Sequence, residues 1–179
     1  MDPGTVEFVR RALALKDTPR KGWTRAGVAR PESVADHAWG VGLLAIAVAD
    51  ARPGLDRTRL LELALVHDLA EAVTGDLVPG DYADRAEKLA RERDAMESLV
   101  EWAPLPLRRR LLDRFEEYAT SASEEARLVH ELDKLEMAFQ ADRYRSQGVR
   151  DVDAFLESAE RGVASSPALR AVAERLRRG

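Results

Sequence analysis

Apolar residues recur along this chain at spacings of three and four, with charged residues filling the positions between them. A period near 3.6 predicts amphipathic helices, and the alternation that marks strands is almost absent. About seven helices follow from this pattern. The first covers roughly Val6 to Leu15, and a polar loop with Pro19, Gly22, Gly27 and Pro31 comes after it. The second opens at Ser33, where Asp36 stands in the place of the usual Glu of a capping box, and runs to about Asp50. Arg52-Pro53-Gly54 breaks it. The third is expected from near Asp56 to Val73 with Gly75 as its C-cap, and the fourth from Tyr82 to Trp102. Pro104 and Pro106 separate the fourth from a fifth over Leu107 to Tyr118. The sixth spans Ser123 to Arg145, with Leu128, Leu132, Leu135 and Phe139 on one face and Gly148 beyond its end. Two short tail helices, Val152 to Arg161 and Pro167 to Arg178, complete the chain. The fold class is therefore all-α, a helical bundle of seven or eight helices. With no repeat and no linker, residues 1–179 read as a single domain.

Composition narrows the chemistry. A chain of 179 residues buries roughly 70% of the surface that its unfolded form exposes, so it folds without disulfides. There is no cysteine, which excludes thiol catalysis and Cys-based zinc sites. The net charge of −4 argues against long nucleic acid as a partner, which needs a basic stripe. No run of apolar residues reaches membrane-spanning length, and acid at Asp2 and Glu7 argues against a signal peptide. A cytoplasmic protein with no membrane partner is expected.

His67 and Asp68 sit in the apolar run Leu63 to Glu71, where ionisable groups must be paired or bound to metal. On its own this dipeptide reads first as a buried His hydrogen-bonded to Asp. Glu71 follows His67 by one turn. His37 lies in the first turns of the second helix and Asp133 midway along the sixth. Together they offer two imidazoles and two carboxylates. Such a set suits a hard or borderline divalent ion (Mn, Co, Fe, Ni, Zn or Mg), which would polarise a phosphoryl oxygen.

His37, His67-Asp68 and Asp133, in that order on helices, resemble the HD-domain metal-dependent phosphohydrolases. The stretches Arg30-Pro31-Glu32-Ser33-Val34-Ala35-Asp36-His37, Leu65 to Asp76 and Glu131 to Glu136 are similar to the branch acting as 5′-deoxynucleotidases, and Pro19-Arg20-Lys21-Gly22-Trp23 fits that branch too. The resemblance covers about residues 5–147; the tail over 151–178 carries none of it. It implies a homodimer, with a seam on an apolar face of the first or sixth helix. It also implies hydrolysis of deoxyribonucleoside 5′-monophosphates, a small-molecule nucleotide substrate, to nucleoside and phosphate. His37, His67, Asp68 and Asp133 would hold the metal. Glu71 and Asp76 would be the catalytic acids, or else hold a second ion. Arg20, Gly22 and Trp23 would contact substrate, as would His37, Asp68 and Asp76. Leu77, Val78 and Pro79 would line the sugar and base. Trp23 could stack on the nucleoside or plug the core. Other HD chemistries (phosphodiesterase, triphosphohydrolase, alarmone hydrolase) and a non-catalytic nucleotide-binding module are the alternatives. Trp39 and Trp102 read as packing residues, His130 as a helix-surface residue or one standing behind a ligand, and Lys134 as a charge turned outward more than toward a phosphate. The run Asp84 to Glu97 reads as a solvated helix face.

Overall fold

A helix that spans the centre of the molecule organises everything else. In the computed structural model, which describes residues 1–163 and 166–179, this is α8, Glu124–Ser146. The other elements in chain order are α1 (Pro3–Ala12), a 3₁₀ turn (Leu13–Asp17), α2 (Lys21–Arg25), α3 (Val34–Ala49), α4 (Arg57–Val66), α5 (Glu71–Thr74), α6 (Arg85–Val100), α7 (Leu105–Ala119), α9 (Asp153–Gly162) and α10 (Pro167–Arg178). Among the described residues the only β-type pairing is one antiparallel bridge between Pro19 and Ser33. The all-α single domain is as expected. No helix among these residues is long and apolar enough to cross a membrane.

Burial of α8 on nearly all sides explains its sequence. Leu128, Val129, Leu132 and Leu135 pack with Val41 and Ala45 of α3, Leu60 and Leu63 of α4, and Leu169 of α10. One turn further on, Met137, Ala138, Ala141 and Tyr144 pack with Trp23 of α2 and with Leu156 and Ala159 of α9. A third group joins Phe8, Val66, Leu69, Met96, Leu99 and Phe115, and closes α1, α6 and α7 over the α4–α5 junction. Each fully buried Leu in these groups contributes about 1.5–3 kcal/mol. Phe139, expected on the apolar stripe of this helix, is instead one of its exposed residues.

The differences from the expected elements are local. The helix expected over Asp56 to Val73 is broken into α4 and α5. Across the break, Leu69 N–H donates to the Val66 carbonyl (3.0 Å) and Glu71 N–H to that of Asp68 (3.0 Å), bonds that tighten the helix over His67–Ala70. The loop with Gly22 holds a short helix, α2. Ser33 does cap α3 through a capping box: Asp36 N–H donates to Ser33 Oγ (3.1 Å) and Ser33 N–H to Asp36 Oδ2 (2.9 Å). Gly75 adopts φ +69° at the end of α5 and Gly148 φ +91° after α8, conformations that favour glycine.

Two tryptophans expected in the core are not there. Trp39 is 69% exposed and shares one face of α3 with Leu43 (51%) and Ile46 (59%). Trp102 lies half-exposed beneath the Arg11 guanidinium, 4.7 Å from the ring centre.

Candidate functional site

The capping box fixes the start of α3, and His37 follows it in the first turn with no exposed surface. His67 emerges at the end of α4, and Asp68 from the tightened turn after it. Asp133 comes from the middle of α8, buried rather than in an exposed salt bridge. These side chains converge. His37 Nε2 lies 3.4 Å from His67 Nε2 and 3.2 Å from Asp133 Oδ1. Asp68 Oδ2 lies 3.2 Å from His67 Nε2 and 3.7 Å from His37 Nε2. His37, His67 and Asp133 bring one donor atom each within 4.8 Å of one another, a group that could hold a metal ion.

The far side of each imidazole is occupied. His67 Nδ1 is 2.8 Å from the Ala64 carbonyl, and His37 Nδ1 is 2.6 Å from Glu136 Oε2. An N–H on each Nδ1 satisfies these acceptors and leaves each Nε2 turned to a common point. Two imidazole nitrogens and two carboxylates facing that point fit a divalent cation. Glu32, His37 and Glu136 also come close together. There, however, Glu32 accepts from Trp23 Nε1–H (2.8 Å) and Glu136 from His37, so this group is already hydrogen-bonded internally.

A cavity of about 1060 Å³ opens onto this cluster, lined by Asp68 and Asp133 and, beside them, His67, Glu71 and Asp76. Arg20, Gly22, Leu77, Val78 and Pro79 form another part of its lining. His37 is behind this layer and does not line the cavity, which suits a metal ligand and not a direct substrate contact. Trp23 borders the cavity but is 1% exposed, with its ring stacked 4.0 Å from Phe155 and edge-on to Tyr144 at 5.1 Å. The plug arrangement therefore holds for Trp23. Gly22 serves it: a Cβ at this position would stand 3.2 Å from Phe155 Cε1.

Several residues set aside in the sequence turn out to belong to the cavity. Lys134 lines it, with Nζ 3.0 Å from Asp133 Oδ2. His130 lines it too, stacked 3.9 Å from Tyr118, whose ring lies edge-on to His67 at 5.4 Å. Lys88, paired with Glu92, turns one edge of the charged α6 face into the cavity wall. Tyr118, Phe155 and Glu136 gave no separate signal to sequence reasoning, although Glu136 lies one turn after Asp133 on the same face. Lys21 is half-exposed, paired with Asp81 at 2.8 Å.

Charge is held unevenly. Burial would raise both aspartates. The charge of His67 and of Arg20, whose Nη1–H donates to Asp68 Oδ2 (3.2 Å), nevertheless keeps Asp68 well below the usual carboxylate range. Lys134 and His37 do the same for Asp133. Burial and Arg20 push His37 downward, but its bonds to Asp133 and Glu136 outweigh them and carry it up to about 9. Glu71 behaves oppositely. Burial, then the charges of Asp68 and Asp76, push it up to about 10, and its Oε2 is buried without a hydrogen-bond partner among the described residues. Asp76 is fixed by Lys21 N–H, which donates to Oδ2 at 2.5 Å.

Comparison with known proteins agrees with this arrangement. A family profile described as HD domain matches residues 12–172. The chain is 42% identical over 141 residues to the mouse protein 5′-deoxynucleotidase HDDC2, spanning 79% of this chain and 70% of that one. It is 35% identical over 156 residues to the fission-yeast 5′-deoxynucleotidase hdd1, covering 84% and 78%. Among solved structures, a conserved hypothetical protein from Pyrococcus furiosus superposes with TM-score 0.79 at 32% identity, covering 97% of this chain and 99% of the other. A protein from Magnetospirillum magnetotacticum described as a "Predicted metal-dependent phosphohydrolase" superposes with TM-score 0.74 at 26% identity, covering 97% and 89%.

Proposed function

The chain belongs to the HD domain family, and from that membership we propose that it is a 5′-deoxynucleotidase, hydrolysing deoxyribonucleoside 5′-monophosphates to deoxynucleoside and phosphate. The observation that carries the reading is the cluster of two imidazole Nε2 atoms and two ionised carboxylates at a cavity that also holds a protonated acid, Glu71, and a cation, Arg20. His37, His67, Asp68 and Asp133 would hold a divalent ion. Their donor set accepts Mn, Co, Fe, Ni, Zn or Mg. When bound, the ion supplies Lewis-acid polarisation of the phosphoryl group.

The protein's own residues do the rest. Arg20 spends one N–H on Asp68 and turns its remaining donors to the substrate phosphate. Asp76, anchored by the Lys21 amide, orients the attacking water and accepts its proton. As the bond from phosphorus to the 5′-oxygen breaks, Glu71 gives its proton to that oxygen. Leu77, Val78 and Pro79 wall the nucleoside with apolar surface. The unpartnered Glu71 Oε2 beside Asp76 supports a second reading of this pair, as holders of a weaker second ion. In solution the protein is a homodimer through the exposed face of α3 with Trp39, Leu43 and Ile46. It acts in the cytoplasm.

The test is phosphate release from paired deoxy- and ribonucleoside 5′-monophosphates, using metal-stripped protein resupplied with each ion. Release with a deoxy preference, lost in Asp68→Ala, is expected. Pyrophosphate or triphosphate among the products would assign a different HD chemistry, and retained nucleotide affinity without turnover under any ion would make it a binding module.

A further inference from the structure

His37 has no exposed surface, so no water can reach its Nδ1. Among the described residues that nitrogen is partnered by Glu136 Oε2, 2.6 Å away on α8. Glu136 can stand there because of residue 40. Gly40 lies one turn after His37 on α3, and a Cβ on it would be 2.6 Å from Glu136 Oε1 and 2.8 Å from its Cγ. A Cβ does not stand this close to an atom it is not bonded to, so any side chain at position 40 would drive the Glu136 carboxylate from its seat.

We infer that Glu136 is a positioning residue for the metal centre, acting through His37, and that Gly40 is the vacancy that seats it. The inference rests on the reading of His37 as a metal ligand. Its physical content is specific. The carboxylate accepts a hydrogen bond from His37 Nδ1–H, which leaves Nε2 as the nitrogen offered to the ion, and the short bond fixes the ring so that Nε2 points at His67 Nε2 and Asp133 Oδ1. His67 is held through its own Nδ1 by a backbone carbonyl, the rigid Ala64 oxygen. His37 lies in the first turn of α3 and is held instead by a side chain from another helix. That choice brings negative charge against the imidazole and makes it a stronger donor. It also makes the metal centre depend on the packing distance between α3 and α8, which Gly40 keeps short.

The experiment is Mn²⁺ titration of metal-stripped protein by calorimetry. Wild type is compared with Glu136→Ala, Glu136→Gln and Gly40→Ala, and the exchange of the His37 Nδ1 proton is followed by NMR in the same metal-free samples. Glu136→Ala is expected to weaken Mn²⁺ binding about 10- to 100-fold and to let the Nδ1 proton exchange freely with solvent. Glu136→Gln keeps an acceptor oxygen and should recover most of the affinity. Gly40→Ala should reproduce the loss with Glu136 still present. The two Glu136 variants decide the matter even if Gly40→Ala fails to fold. Affinity within threefold of wild type in folded Glu136→Ala overturns the inference and leaves the metal site intact. Wild-type protein that takes up no Mn²⁺ overturns the metal reading beneath it.

Discussion

At the scale of single residues, environment assigns different work to chemically identical groups. Asp68 and Asp133 stay ionised because His67 and Arg20 on one side, and Lys134 and His37 on the other, offset the cost of burial. Glu71, on the same cavity wall, keeps its proton because burial and the charges of Asp68 and Asp76 outweigh those of Arg20 and Lys88. A proton donor with a pKa of about 10 is available throughout the neutral range and is lost as pH rises past that value. The rate profile of the wild type should therefore fall on its alkaline side. Glu71→Gln should lower kcat by about 10²–10⁴-fold and abolish that limb, as steady-state kinetics across pH will show. Glu32 tests the same principle through stability. Burial, reinforced by Glu136, carries it up to about 7 from an ordinary 4.5. Folding then favours the protonated form, so the contribution of Glu32 to stability is intact below about pH 4.5 and is lost as pH rises toward 7. In metal-stripped protein, Glu32→Gln should raise the melting temperature at pH 8 and leave it unchanged at pH 4.

At the scale of elements, local signals explain starts and stops better than they explain breaks. The Ser33–Asp36 capping box was readable because it lies within four consecutive residues, and it sets the first turn from which His37 projects. Ser33→Ala should cost about 1 kcal/mol, seen as a fall of about 2–4 °C in a thermal melt. Gly75 and Gly148 were readable for the same local reason. The break between α4 and α5 was not. Leu63 to Val73 is rich in Leu and Ala and holds no Gly or Pro, so nothing in it forbids one long helix. The helix tightens at His67–Ala70 where Leu69 and Ala70 turn to pack with Phe8, Met96 and Phe115, a demand set by elements elsewhere in the chain. Helix α2 escaped notice because five residues carry no period; its Trp23 is held by Phe155 and Tyr144 from distant positions.

At the scale of the whole molecule, α8 is the axis around which the site is assembled. Its leucines take one set of neighbours and its C-terminal half another, so Asp133, between them, reaches the junction of α3, α4 and α8. The same centrality leaves little of α8 to face outward. The exposed stripe with the largest side chains is on α3, where Trp39, Leu43 and Ile46 follow one another at helical spacing. Replacing Trp39 by Glu puts charge into that stripe. Sedimentation is then expected to give monomers for this variant and a dimer for the wild type, with metal affinity per chain unchanged. The tail, outside the stretch that carries the motif, is also structural to the cavity: α9 supplies Phe155 against Trp23 and closes one wall.

Helical period, caps and the order of His37, His67-Asp68 and Asp133 are properties of neighbouring residues, and they determined the fold class, most helix boundaries and the identity of the candidate ligands. Which of the charged residues on those helices would be buried, which would line the cavity and which would stand behind the ligands depended on distances between helices. Trp39 and Trp23 differ in burial without any difference that local pattern records. Glu136 shows the reason most plainly: on α8 it is one more acid one turn from Asp133. It becomes the support of His37 only because α3 crosses α8 at a glycine and brings the two within hydrogen-bond reach.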